Sequence, residues 1–302
     1  MTDPTTTPRD LADRFHQRWL GENPFAATMY GIPGYDHLLP DESEAGQQAW
    51  RAEVERFGEE AAAIASGPFS PADAVTLGCV REAGAHELDG IDMAPAEHTV
   101  TAMQFAGPAT FLAVAARTVL VDPEAAEAYL TRLRGSGTWF DQLSEQLQTG
   151  AKKGRLPVAP LAEQAIAWAQ DVLPGLGPVL APQPPPGWSR AGAWETERRA
   201  AADEVVRPGL ARWVETVREL LPRARPSDRA GLVWLPGGEA DYARAIRIFT
   251  TLPRSPQELQ QTGLDQVAEL EARPRAARPG PLARRPGPAR SGAAPAATGA
   301  RW

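Results

Sequence analysis

Residues 123–149, Pro-Glu-Ala-Ala-Glu-Ala-Tyr-Leu-Thr-Arg-Leu-Arg-Gly-Ser-Gly-Thr-Trp-Phe-Asp-Gln-Leu-Ser-Glu-Gln-Leu-Gln-Thr, decide the fold class. Tyr129, Leu130, Leu133, Phe140, Leu143 and Leu147 fall at helical spacing, so one face of a long helix is apolar. The pattern runs from Pro123 to Gly150, and Gly-Ser-Gly at 135–137 is expected to split or kink it.

The same period recurs on both sides. Residues 9–20 place Leu11, Phe15, Trp19 and Leu20 on one face. Residues 44–66 and 71–89 are Ala-rich with interspersed Glu and Arg, the second opening at Ser70-Pro71 with Pro at a first helical position. Further helices are expected at 158–172, 193–221, 238–249 and 255–271. Val and Ile nowhere alternate with polar residues over a useful length, so strands are not expected. The reading is all-α: an array of long antiparallel helices joined by Pro/Gly-rich connectors. Ala181-Pro-Gln-Pro-Pro-Pro-Gly187 is a stiff, extended segment. It either divides a layer 9–180 from a layer 188–271 or forms a surface loop between two helices of one domain.

The ends read differently. Residues 1–8 are polar and expected to be disordered, and they lack the basic start and apolar run of a secretory signal. Of the 31 residues Ala272–Trp302, 27 are Ala, Arg, Pro or Gly, and none is acidic. The amphipathic pattern of 255–271 stops at Glu271-Ala272 without a capping Gly. These four residue types have the codons richest in G and C, so the tail is expected to be an out-of-frame reading of a GC-rich bacterial gene. A genuine basic tail is the alternative. On either reading it has too little apolar surface to fold.

Charge narrows the partners. Residues 1–271 carry a formal charge of −14, and the tail adds +7. An acidic body argues against specific nucleic-acid binding, which needs a basic stripe to neutralise phosphates. The single Cys79 excludes an internal disulfide framework and a multi-Cys zinc site, and it is expected to be a buried small hydrophobe beside Leu77 and Val80. No run of 18 apolar residues exists, so no membrane span is expected, and the chain is read as cytoplasmic.

No catalytic set emerges from the residues alone. The histidines are His16, His37, His86 and His98. His86-Glu87-Leu88-Asp89-Gly90 has half of a zinc-peptidase helix motif, with Gly90 where the second imidazole should stand. Glu82, one turn before His86, reads as a simple hydrogen-bond partner. Leu235-Pro-Gly-Gly238 lacks the Lys-Ser/Thr of a phosphate loop. Trp19, Trp139, Trp168 and Trp213 sit at helical spacing among apolar neighbours and read as core. Carboxylates such as Asp36, Asp89 and Asp92 around a borrowed metal are a remaining, weaker route to an enzyme.

Three segments together resemble a known family. The first is Asn23-Pro-Phe-Ala-Ala-Thr-Met-Tyr-Gly31 with Tyr35-Asp36-His37 and Leu38-Leu39-Pro40-Asp41. The second is Leu130-Thr-Arg-Leu133 with Gly150, Gly154 and Pro157. The third is Gly231-Leu-Val-Trp-Leu-Pro-Gly-Gly-Glu-Ala-Asp-Tyr242, continuing through Thr250-Thr251, Ser255-Pro256-Gln257-Glu258-Leu259 and Gly263-Leu264. In this order they resemble the bacterial domain-of-unknown-function 885 proteins, which look like helical zinc metallopeptidases. The resemblance covers roughly residues 9–271.

That resemblance implies peptide-bond hydrolysis in a full-length relative, with a zinc-binding His-Glu-x-x-His in a C-terminal half. No residue here matches that motif, so this chain is expected to be a truncated N-terminal half, inactive alone, with no cofactor of its own. It would supply one wall of a peptide channel, with Gly237, Gly238 and Tyr242 as candidate contacts. Helix faces that pack on the missing half would be exposed and favour self-association. The alternative is a non-catalytic helical binding or scaffold protein with a basic tail.

Overall fold

The computed structural model describes residues 7–65, 70–104 and 106–272, and among these no strand occurs. The chain is all-α. Local chemistry sets the helix starts. Helix α1 (Pro8–Glu22) opens with a reciprocal cap, in which Thr7 Oγ1 accepts from the Asp10 N–H and Asp10 accepts from the Thr7 N–H. Of the segment 1–8, residues 1–6 lie outside the described residues. A short helix α2 (Pro24–Met29) follows, then α3 (Glu44–Ile64), capped by Ser43, and α4 (Pro71–Met93), capped reciprocally by Ser70 and Asp73. Helix α5 (Gly107–Ala115) precedes α6 (Pro123–Lys152), whose first turn is held by Asp122 Oδ1 accepting from the Ala125 N–H at 2.8 Å.

Helix α6 runs unbroken, against the expected split at 135–137. Gly135 and Gly137 serve close packing instead. A methyl at Gly135 would lie 3.2 Å from Leu39 and one at Gly137 3.1 Å from Val205. Helices α7 (Ala159–Val172) and α8 (Leu176–Val179) lead into the Pro-rich connector, and then α9 (Ala191–Ala201) and α10 (Arg207–Leu220) follow. The single helix expected at 193–221 is interrupted by one wider π turn, Ala202–Val206. Pro208, just beyond it, has no N–H for the preceding turn, and its ring would crowd a regular one. The wider turn accommodates that ring and lets the helix continue.

Two apolar packs result. Leu11 and Phe15 of α1, Trp50, Val54 and Phe57 of α3, and Leu77 and Val80 of α4 make one. The larger joins α5, α6, α7, α9 and α10 around Phe111, Tyr129, Leu133, Phe140, Trp194, Leu210 and Val217. Leu176 and Leu180, before the connector, share this core with Trp194 after it. Helix α11 (Gly238–Thr250) packs on α4.

The chain divides after Arg254. The second unit contains helix α12 (Pro256–Ala272), opened by Ser255 and Glu258 capping each other. Leu264, Val267 and Leu270 are exposed on it. The remainder of the tail, 273–302, lies outside the described residues.

Candidate functional site

Between the two packs the chain leaves adjoining cavities. One, of about 570 Å³, is polar: Gln47, Gln48 and Arg51 of α3, Asp92 of α4, and Gln146 and Thr149 of α6 line it with Glu97, Lys153 and Arg155. The other, of about 440 Å³, is lined by the carboxylates Glu22, Asp41, Glu42 and Glu87 and the aromatic rings Phe25, Trp50 and Trp139. Gln47 and Ile91 line both, so the two chambers adjoin along α3 and α4.

The polar chamber ends in a buried charge cluster. Glu97 sits in the turn Pro95–Glu97, where Ala94 adopts a left-handed conformation (φ 41°) to end α4. Arg155 Nε lies 3.1 Å from Glu97 Oε2, and Lys153 pairs with Oε1 of the same carboxylate. Arg155 also donates to Asp241 Oδ2 at 2.9 Å, to the Pro236 carbonyl at 3.0 Å and to the Met93 carbonyl. One guanidinium therefore ties together the end of α4, the loop after α6 and the start of α11. The close approach depends on Gly150, since a Cβ there would lie 2.0 Å from the Glu97 carbonyl oxygen.

His98 is buried in the same cluster. Burial, reinforced by Arg155 and Arg225 and only partly opposed by Asp241 and a hydrogen bond to the Met93 backbone, pulls its pKa down to about 4. The ring is neutral at pH 7, and its Nε2 has no hydrogen-bond partner among the described residues.

In the acidic chamber, burial raises the pKa of Glu42 and of Glu22. The Asp41 charge pushes Glu42 in the same direction, and Glu22 is partly relieved by Arg18. Glu87 has a different task. Its two oxygens accept the indole N–H groups of Trp19 and Trp50 at 2.7 and 2.8 Å, joining α1, α3 and α4.

The model of a family described as "Bacterial protein of unknown function (DUF885)" matches residues 24–279. The chain belongs to the DUF885 family. Among solved structures, this DUF885 chain is similar to "the putative lipoprotein from Colwellia psychrerythraea". The TM-score is 0.65 at 18% identity, over 87% of this chain and 50% of that one. At that identity the likeness establishes the fold. The DUF885 chain spans about half the length of this relative. Nothing among curated proteins matches it.

The residues singled out from sequence are dispersed over this DUF885 chain. Gly237 is left-handed (φ 75°), and a Cβ on Gly238 would lie 1.7 Å from the Leu232 carbonyl oxygen, so both glycines are demanded by the turn. The Gly238 N–H closes that turn onto Leu235 at 2.9 Å. Tyr242, 46% exposed, directly follows Asp241. His86 Nε2 meets Glu82 at 3.1 Å, the simple pairing expected. His16 stacks beside Trp19, and His37 lines a separate cavity near Asp36. Asp89 and Asp92 pair with Arg244, Arg247 and Arg51, whereas Asp36 lies against Thr28 and Arg132. Among the described residues no three His, Cys, Asp or Glu side chains converge as a metal site.

One expectation is reversed. Cys79 is exposed, because Leu77, Val80 and Gly84 turn the inward face of α4 away from it. Conversely, Glu97, Arg155, Asp241 and Glu42 escape sequence reading. Each is an ordinary charged residue in a connector or first turn, and only the meeting of distant segments makes it unusual. The nearest signal was the pair of glycines at 150 and 154, which entered only as part of the family resemblance; the structure shows that Gly150 admits the Glu97 backbone.

Proposed function

We propose that this chain forms one wall of a peptide-binding cleft in a zinc-metallopeptidase-like protein, and that it does not hydrolyse peptides by itself. The observation that carries this reading is the polar chamber between the packs. Gln47, Gln48 and Gln146 offer amide donors and acceptors, and Arg51, Asp92 and Lys153 offer charges of both signs. A peptide backbone needs such alternating groups along its length. The turn at Gly237 and Gly238 and the Tyr242 hydroxyl are further contacts in this reading; Arg155, which lines the chamber, holds the Pro236 carbonyl and Asp241 on either side of that turn. Zinc, as Lewis acid and activator of water, would be bound in such a protein by a His-Glu-x-x-His motif, which no residue of this sequence matches. The chain's own contribution is to bind and orient the peptide.

A cytoplasmic location belongs to the same reading. No helix among the described residues is long and apolar enough to cross a membrane. Recovery of the native protein in a washed membrane fraction would reverse that part.

The test is the gene. Translation of the DNA beyond the Glu271 codon in the other forward frames should continue the helix and reach a His-Glu-x-x-His. If those frames stop soon after, the metallopeptidase reading fails and a non-catalytic helical binding or scaffold protein with a basic tail replaces it.

A further inference from the structure

A smaller cavity, of about 170 Å³, lies where the turn Pro95–Glu97 and the start of α5 meet α6 and α10. Pro108, Leu143 and Leu147 give it apolar walls, and Glu42, Gly107 and Trp213 bring polar groups to it. An apolar cavity of about 150 Å³ takes a benzene molecule, so this one takes a ligand of about six heavy atoms.

Trp213 points to the ligand. It is 3% exposed, and its indole N–H donates to no acceptor among the described residues. The Trp139 N–H is unpartnered and sealed, whereas the Trp213 N–H keeps contact with solvent. A side chain so deeply buried meets solvent through the cavity it lines. A donor held there without an acceptor asks for one in that space. The start of α5 asks for the same partner. Its N-cap is Ala106, with no side-chain cap and no acidic residue in the first turn, and Gly107 at its first position lines the cavity. The unsatisfied N–H groups of a helix start, at the positive end of the dipole, suit an acceptor oxygen.

Glu42 has the opposite need. Its carboxylate takes one hydrogen bond among the described residues, from Gln47 Nε2 at 3.5 Å, and has room for a better donor. A ligand that meets all these groups carries an acceptor oxygen and an N–H donor side by side on a short apolar stem. A carboxylate would face the Glu42 charge, a ketone would bring no donor, and an ammonium would leave Trp213 without an acceptor.

We propose that this cavity binds a primary carboxamide, the group that ends a glutamine or asparagine side chain. The amide oxygen accepts from the Trp213 indole and the start of α5, the amide nitrogen donates to Glu42, and the stem lies against Leu143 and Leu147. The inference goes beyond the peptide cleft and does not rest on it, since a free amide satisfies the same groups.

The test uses the full chain, isotope-labelled for nitrogen NMR, and four probes: butyramide, methyl propyl ketone, butyrate, and the peptide Gly-Gly-Gln-Gly-Gly. Millimolar butyramide should move the Trp213 indole resonance, identified by its absence from Trp213→Phe. The isosteric ketone and butyrate should each bind roughly 10-fold more weakly, the loss of one hydrogen bond to a charged group. Glu42→Ala should weaken butyramide by a similar factor and leave the ketone unchanged, which keeps the test decisive if Trp213→Phe does not fold. The proposal is overturned if no indole resonance responds, or if the ketone or butyrate binds as tightly as butyramide. The peptide separates the sources. Movement of the same resonance by the Gln peptide, and not by its Leu counterpart, identifies a peptide side chain, and a response to butyramide alone identifies a free amide. Failure of the cavity assignment leaves the peptide cleft untouched, because that reading is decided by the gene.

Discussion

Arg155 and Asp241, 86 positions apart in the chain, meet in a buried ion pair with Nη1 2.9 Å from Oδ2. Their side chains are 10% and 4% exposed, so neither charge has much recourse to water if the other is lost. The pair fastens the start of α11 to the loop after α6. Asp241→Ala leaves a buried guanidinium with Glu97 as its remaining buried counter-charge. The expected cost is about 3–5 kcal/mol, because the desolvation of Arg155 is then less offset. Urea unfolding followed by circular dichroism measures it. A loss below about 1 kcal/mol would show that water reaches the pair.

The neutral His98 makes stability depend on pH. Its folded pKa is about 4 and the ordinary value 6.5, so the unfolded chain takes up a proton first as pH falls. Above pH 6.5 both states are neutral and the group contributes nothing. Between 6.5 and 4 stability should decline, by on the order of 3 kcal/mol in total. Urea midpoints at several pH values for the parent and His98→Gln test this. The variant should lack most of the decline, and identical slopes would refute the assignment.

Gly150 is the position where α6 lets the Pro95–Glu97 turn approach. A Cβ would stand 2.0 Å from the Glu97 carbonyl oxygen, which is backbone and cannot swing aside. Gly150→Ala should therefore destabilise by about 1–3 kcal/mol despite the better helix propensity of alanine. A stabilised variant in thermal unfolding would contradict the close crossing.

Glu87 joins three helices through two indoles. Glu87→Ala leaves the N–H groups of Trp19 and Trp50 without acceptors, at roughly 1–3 kcal/mol for each one that water cannot reach. Glu87→Gln keeps one acceptor oxygen and should recover part of the loss. The tryptophan emission spectrum reports both changes, and an unaltered spectrum in Glu87→Ala would count against the clamp.

The helices were legible where one face is wet. In 123–152 apolar and polar residues segregate at the helical period, because one side meets the core and the other meets water. Helix α5 was not legible for the same reason. Pro108, Ala109, Phe111, Leu112, Val114 and Ala115 are all buried, so Gly107–Ala115 shows no contrast between its faces. The π turn before Pro208 was equally hidden, since proline signals an interruption without specifying how the chain absorbs it. At the candidate site the glycines of the 235–238 turn stood out, because positive φ and close backbone contact select for glycine alone. Glu42 did not stand out. A glutamate is exposed by default, and its partial burial depends on residues from α2, α5 and α6.

Sequence by itself determined the helical class, the helix starts at Ser70-Pro71 and Ser255-Pro256, and the family, because these depend on neighbours a few residues apart or on ordered motifs. Tertiary structure alone decided which charges are buried together, that α6 passes unbroken through its glycines, that Cys79 faces outward, and that two packs leave chambers between them. The physical reason is range. Backbone hydrogen bonds and caps act over three or four residues. Desolvation of a carboxylate or a guanidinium depends on every segment that comes to surround it, and those segments are up to about a hundred positions away.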